Sequence, residues 1–275
     1  MPNIKLDLDC PHALGFLLAF IKDELHKADL NSLIIGLSGG LDSALVAHLS
    51  VKAIGPENVV GVIMPYKTSS EENIIDAREL SKELKIKYHE IDISPQIDGY
   101  FQKFPDADRN RRGNKMARER MSILYDLSAV ERALVIGTSN KTEILLGYGT
   151  IFGDLASAIN PLGDLYKTQV RVLAKYLQVS EKIIAKTPSA DLYAGQSDEG
   201  DFGFTYDEVD KLLYLLVDER YTPDQCRQAG FNNDLIQKVT DMIVKNQFKR
   251  STPVIAKLSS RTVGIDFRYP RDWGK

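Results

Sequence analysis

Short runs of aliphatic and β-branched residues alternate along the chain with longer stretches in which apolar side chains recur every three or four positions. Continuous apolar runs of about five residues make buried strands, and a 3.6-residue period makes amphipathic helices. The alternation therefore predicts crossover helices on both faces of a parallel sheet. A first helix is predicted over 12–29, a strand at Leu33–Leu37, a helix over about 41–54 and a strand at Val59–Met64 that Pro65 ends. Ser69 followed three residues later by Glu72 has the spacing of a capping box for a helix running through Leu84. A third strand is expected near Tyr88–Ile93, a helix over 114–131, and a fourth strand at Ala133–Ile136 that stops at Gly137-Thr138. The expected class is α/β: a doubly wound, mostly parallel sheet with helices on both faces.

Beyond Gly147 the punctuation changes. The stretches GYGTIFGD and NPLG precede a helix predicted over about 168–177. A polar segment rich in Gly and Asp, Pro188 to Thr205, then reads either as an exposed linker or as a lid over a ligand. Helices resume at 206–217 and 233–247. No internal repeat, low-complexity tract or clean boundary divides the 275 residues, so one domain over 1–275 is expected.

Charge and cysteine usage narrow the partners. With 35 Lys+Arg against 38 Asp+Glu the net charge is -3, so no overall basic field exists to hold nucleic acid. The longest apolar run, Ala13 to Ile21, stops at Lys22, well short of the roughly 20 residues that span a bilayer. No membrane association is expected. The start MPNIKLDLDC lacks the basic, apolar and small-residue regions of an export signal, and Cys10 and Cys226 share no metal spacing with the four histidines. A cytoplasmic protein with two buried thiols is expected.

The sharpest chemical signal is Ser38-Gly39-Gly40-Leu41-Asp42-Ser43, between a buried strand and a helix start. Glycines let backbone N–H groups close on an anion, the helix dipole favours negative charge there, and two serine hydroxyls add donors. Such a turn suits phosphate. Asp42 would repel phosphate unless a divalent cation lay between them, which calls for Mg²⁺. No Walker A sequence occurs, and GYGTIFG has the wrong spacing for a dinucleotide fingerprint.

SGGLDS resembles the pyrophosphate-binding loop of the ATP pyrophosphatase superfamily, whose members cleave ATP to AMP and pyrophosphate while adenylating a substrate. Further segments resemble one family in it, the NAD synthetases, in order and spacing across nearly the whole chain. They are Gly137-Thr138 with Glu143, Gly147-Tyr148 with Thr150, Gly153-Asp154, Pro161-Leu162 with Lys167, Pro188-Ser189-Ala190-Asp191-Leu192, Gln196-Ser197-Asp198-Glu199 and Tyr206-Asp207-Glu208. The FRYPRDW tail and the GTSNKTE stretch resemble the archaeal and glutamine-dependent branch of that family.

The resemblance implies ATP-dependent amidation of deamido-NAD with ammonia, giving NAD, AMP and pyrophosphate through an adenylated intermediate. It implies ATP contacts from residues 36–43, Thr138, Lys167 and Ser189, magnesium held by Asp42 and Glu143, and Asp154 positioning or deprotonating ammonium. Arg118 and Lys249 correspond to deamido-NAD contacts, and a homodimer is implied. Taken singly, Glu143 reads as a solvated helix residue, Lys167 and Lys249 as surface lysines, Ser189 as a loop serine and Asp154 as a turn former.

Arg109, Arg111, Arg112, Lys115, Arg118 and Arg120 concentrate positive charge, and helical spacing puts Arg111, Lys115 and Arg118 on one face. That face reads either as a dinucleotide-phosphate site or as a solvated basic surface; no aromatic residue interleaves the run, which disfavours RNA. Ile151, Ala158 and Phe248 replace polar residues of the common bacterial pattern, so the nicotinate half of the pocket is expected to be lined differently. A nitrilase-like glutaminase module needs about as much chain as is present, so free ammonia, or ammonia from a separate amidase, is the expected donor. Rival readings are a tRNA-modifying enzyme of the same superfamily and a non-catalytic adenine-nucleotide sensor.

Overall fold

The computed structural model describes residues 4, 6–189, 198–251 and 253–267. Strands Ser32–Gly36 (β1), Val59–Ile63 (β2), Lys87–Glu90 (β3) and Ala133–Val135 (β4) pair in parallel in the order β3-β2-β1-β4. Register pairs Leu33 with Val59, Ile34 with Val135 and Val60 with Lys87. An isolated parallel bridge from Ile136 to Ile159 extends the β4 edge. The winding direction reverses between β1 and β4, which opens a crevice at the carboxyl ends of those two strands.

Alternate residues of the strands feed two different cores. Leu33, Ile35, Val59 and Ile63 pack on helices α1 (Cys10–Lys27) and α2 (Leu41–Ile54), while Ile34, Val60 and Val62 face the opposite core. That second face is covered by α4 (Ser94–Phe101) and α5 (Arg109–Glu131); α3 (Glu71–Glu83) lies between β2 and β3 in the chain. Burial on both faces is why β1 and β2 read as unbroken apolar runs. The doubly wound α/β class expected from sequence is the observed one.

A short helix, α6 (Lys141–Leu146), follows β4, and α7 (Lys167–Tyr176) with α8 (Glu181–Ile184) returns to the first core. The later helices are α9 (Asp198–Phe202), α10 (Tyr206–Leu213), α11 (Pro223–Gln228) and α12 (Asn233–Lys245). A third cluster, built on Leu146, Tyr206, Leu212 and Val239, joins α6 to α10 and α12. Cys10 and Cys226 are buried free thiols, and no described helix is long and apolar enough to cross a membrane.

Several boundaries differ from the sequence expectation for local reasons. Helix α3 begins at Glu71 after Ser70 with no side-chain cap, because the Ser69 hydroxyl accepts the Tyr66 N–H instead, 3.2 Å away in a turn. The expected Ser69/Glu72 capping box does not form. Helix α5 starts at Arg109 rather than 114, because the Asp108 carboxylate accepts the Arg111 N–H at 2.7 Å and caps it earlier. The helix expected over 206–217 ends at Leu213 and continues as a π-turn over Tyr214–Asp218. Of the polar 188–205 segment, residues 190–197 lie outside the described residues, as do 268–273 of the FRYPRDW tail.

Candidate active site

The turn after β1 is shaped by one glycine and tied by two serines. Gly39 takes φ +74°, and a Cβ there would collide with the backbone oxygen of Asn73 on α3. Gly40 is the N-cap of α2 and brings no side chain to its amides, so the helix start stays open to an anion. Within the turn the Ser38 N–H reaches Ser43 Oγ and the Gly40 N–H reaches Ser38 Oγ, each at 3.3 Å, while Ser43 Oγ donates to Gly40 O at 3.0 Å. Substituting Gly39→Ala is expected to displace this turn, since the left-handed backbone costs an L-residue about 1–2 kcal/mol before the collision is counted. The expected result is a ligand-free melting temperature lowered by several degrees together with loss of most of the ATP-dependent rise; an unchanged ATP response would contradict the loop assignment.

Two carboxylates share one ammonium beside this turn. Lys167 Nζ donates to Asp42 and lies 3.4 Å from Glu143 Oε1, and the residue is only 3% exposed. Asn140 holds the other side, donating through Nδ2 to Asp42 Oδ1 at 3.1 Å and capping α6 by accepting the Glu143 N–H at 3.0 Å. Glu143 Oε2 returns the cap to the Asn140 N–H at 3.3 Å, which leaves Oε1 facing Lys167. Burial pushes Glu143 up to about 8, with the Asp42 charge adding to the shift and the Lys167 charge opposing it. Burial would lower Lys167, but the charges of Asp42 and Glu143 outweigh it and keep the ammonium above its ordinary value. Near neutral pH the raised Glu143 carboxyl keeps its proton and Lys167 balances Asp42, while the hard oxygen donors of both carboxyls suit a further cation whose arrival would displace that proton.

The cluster is held from behind by a buried carboxylate. Asp210 on α10 accepts the Thr142 hydroxyl at 2.6 Å and the Thr168 N–H at 2.8 Å, and Thr142 Oγ1 accepts the Lys167 N–H at 3.0 Å. The starts of α6 and α7, which carry Glu143 and Lys167, are thereby locked to each other. Asp198 joins the same region, accepting the hydroxyls of Tyr148 at 3.0 Å and Tyr206 at 2.9 Å.

The far wall belongs to the loop after α6. Asp154 Oδ1 accepts the Thr150 N–H at 2.9 Å, and burial pushes its carboxyl up, opposed by that bond and by the Lys249 charge. Lys249 Nζ donates to Gly147 O at 2.7 Å and Gly149 O at 2.9 Å. Arg250 reaches the carbonyls of Ile144 at 3.1 Å and Leu145 at 2.7 Å, and Asn246 Nδ2 reaches Leu146 O at 2.9 Å. The open carbonyls at the end of α6 are thus capped by cations and an amide from about a hundred residues downstream.

These walls enclose a cavity of about 980 Å³. Every residue proposed from sequence lines it except Gly39, which packs against Asn73: the rest of the 36–43 turn, Thr138, Glu143, Lys167 and Ser189, and, with the far wall, Asp154, Arg118 and Lys249. Ile151 and Phe248 also line it, whereas Ala158 does not. The basic helix divides. Arg109, Arg118 and Arg120 face the cavity, but Arg111 lies over the Phe104 ring at 5.5 Å and Lys115 over Tyr100 at 5.6 Å. Aromatic residues therefore do accompany the run, contributed by α4 and its end rather than by α5 itself. Sequence reasoning missed Lys186, which donates to Asn73 Oδ1 at 2.7 Å and pairs with Asp76, and it missed Arg171, Asp210 and the role of Asn140. Arg171 had a local signal, lying one helical turn after Lys167, and Asn140 had another, standing three residues before Glu143 at capping-box spacing.

A glycine-rich turn at the switch point, with acidic and cationic side chains converging from α2, α6 and α7, defines an α/β enzyme of the ATP pyrophosphatase type. The sequence profile of the NAD synthase family matches residues 14–253, and the chain belongs to that family. It is 52% identical over 271 residues to the NH(3)-dependent NAD(+) synthetase of Chlorobaculum tepidum, an alignment covering 98% of this chain and 97% of that protein. The NH3-dependent NAD synthetase of Campylobacter jejuni superposes with TM-score 0.78 at 37% identity, covering 91% of this chain and 100% of the other. The NMN synthetase of Francisella tularensis superposes with TM-score 0.82 at 31% identity over 91% of this chain and 99% of that one.

Proposed function

We propose that the chain joins ammonia to the nicotinate carboxylate of deamido-NAD, converting ATP to AMP and pyrophosphate through an adenylated intermediate. The observation that carries this reading is the meeting, in one cavity, of the 38–43 turn, the Asp42–Lys167–Glu143 cluster and Asp154. A carboxylate is a poor acyl donor, so its oxygen first attacks the α-phosphorus of ATP. The bridge to the β-phosphorus breaks, and its electron pair leaves with pyrophosphate. The turn amides, the Ser38 and Ser43 hydroxyls and Lys167 stabilise that departing charge. Asp42 and Glu143 fit Mg²⁺ by donor type and by their convergence on one point beside Lys167, and the ion would supply electrostatic stabilisation of the phosphate oxygens. Ammonia then attacks the acyl carbon and AMP departs. Asp154 accepts the proton that ammonium must lose, and Arg118 and Lys249 contact deamido-NAD.

The proposed assembly is a single-domain homodimer that uses free ammonia, or ammonia passed from a separate amidase, with no nucleic acid. The test is purified protein with MgATP and deamido-NAD, supplied with ammonium, glutamine or neither. NAD, AMP and pyrophosphate in equal amounts are expected with ammonium alone. ADP as product, or AMP formed only when tRNA is added, would overturn the reading. Because the Francisella relative is named an NMN synthetase, nicotinate mononucleotide is the second acyl substrate to run beside deamido-NAD.

A further inference from the structure

The cations lining the cavity differ in how their donors are spent. Lys167 is held by Asp42 and Glu143, Lys186 by Asp76, Asn73 and Gly39 O, and Lys249 by two carbonyls. Arg118 Nε donates to Ile151 O at 3.1 Å and Arg120 Nε to Met64 O at 3.0 Å. Arg171 is different. It is half-buried and lines the same cavity, yet among the described residues it makes no hydrogen bond and no ion pair. Its one contact of that kind is with the ring of Tyr206, 5.9 Å from the guanidinium carbon. A guanidinium resting on an aromatic face keeps its edge N–H groups available in a planar fork that matches phosphate oxygens.

The position fixes which anion the fork would meet. Arg171 lies four residues after Lys167 on α7, on the same helix face and one turn further from the helix start. Lys186 and Ser189 line the cavity with it, and Lys186 reaches Gly39 O at 3.4 Å. We infer that Arg171 binds the distal phosphates of ATP and the pyrophosphate they become, as a catalytic residue of the adenylation step. The inference rests on reading the cavity as an ATP site. When the Pα–O–Pβ bridge breaks, the electron pair collects on the pyrophosphate oxygens, so contacts from Arg171 strengthen as the bond parts.

Calorimetric titration of the whole protein with magnesium pyrophosphate and, separately, with AMP tests this directly. Arg171→Gln is expected to weaken pyrophosphate binding roughly ten- to hundredfold, the range for a hydrogen bond to a charged group, while AMP affinity stays within about twofold. Arg171→Lys keeps the charge without the fork and is expected to retain part of the affinity. It also carries the test if the glutamine variant does not fold. In steady state, kcat falls and KM for ATP rises with KM for deamido-NAD unchanged. Unaltered pyrophosphate affinity in a folded Arg171 variant, or equal weakening of AMP and pyrophosphate, would overturn the assignment. Failure of the function reading shows separately, as a wild-type protein that binds pyrophosphate but forms no NAD.

Discussion

Asp42→Ala is expected to abolish release of pyrophosphate from ATP, with a loss on the order of 10³-fold in kcat, while deamido-NAD binding stays within about twofold. Two effects combine. The variant loses a carboxylate proposed to hold the divalent cation, and it frees Lys167 from its nearest partner. Stranding a buried charge costs about 3–5 kcal/mol when nothing replaces the partner. Here Glu143 remains 3.4 Å away, so the penalty falls below that range and the chain stays folded. Pyrophosphate release and calorimetric binding of deamido-NAD check the two halves of the expectation. Equal loss of both would place Asp42 in the architecture of the whole cavity rather than at the metal.

Asp154→Asn is expected to separate the two half-reactions. The amide still accepts the Thr150 N–H but takes no proton from ammonium, so NAD formation should fall about 10²–10⁴-fold while pyrophosphate release on mixing persists. Burial holds the Asp154 carboxyl above its ordinary value. The ionised form is the one that accepts a proton, so amidation is lost as pH falls through that raised value, at a higher pH than for an exposed carboxylate. The Asn variant should lose this acid limb along with most of its rate. Rapid-quench measurement of pyrophosphate and NAD across pH reads both outcomes. If adenylation and amide formation decline together, Asp154 acts before the intermediate exists.

What could be read from sequence followed what is local. The 41–54 helix was placed at its observed limits, because an uninterrupted apolar pattern starts at Leu41 and Gly55 stops it with φ +83°. The 38–43 turn was legible for the same reason: its chemistry lies within six consecutive residues. Glu143 reads as a helix residue, but helix α6 itself was not delimited, having six residues and too little length to show a period. Asn140 meets Asp42 across 98 positions and Lys167 meets it across 125, and no spacing rule reaches that far. Family resemblance supplied Glu143 and Lys167, whereas Asp210 and Lys186 were missed because nothing adjacent in the chain marks a buried carboxylate bridging two helices. Arg111 and Lys115 shared the predicted face with Arg118, but α4 offered them aromatic rings that the α5 sequence does not contain.

The props under the end of α6 carry a consequence for biosynthesis. When residues up to Val135 have left the ribosome, the sheet and its glycine turn can already form. Helix α6 still lacks the donors that Asn246, Lys249 and Arg250 bring to its open carbonyls. Glu143 sits on that helix, so the nascent chain can form the glycine turn early, whereas the end of the helix that carries Glu143 is completed only once Arg250 has left the ribosome.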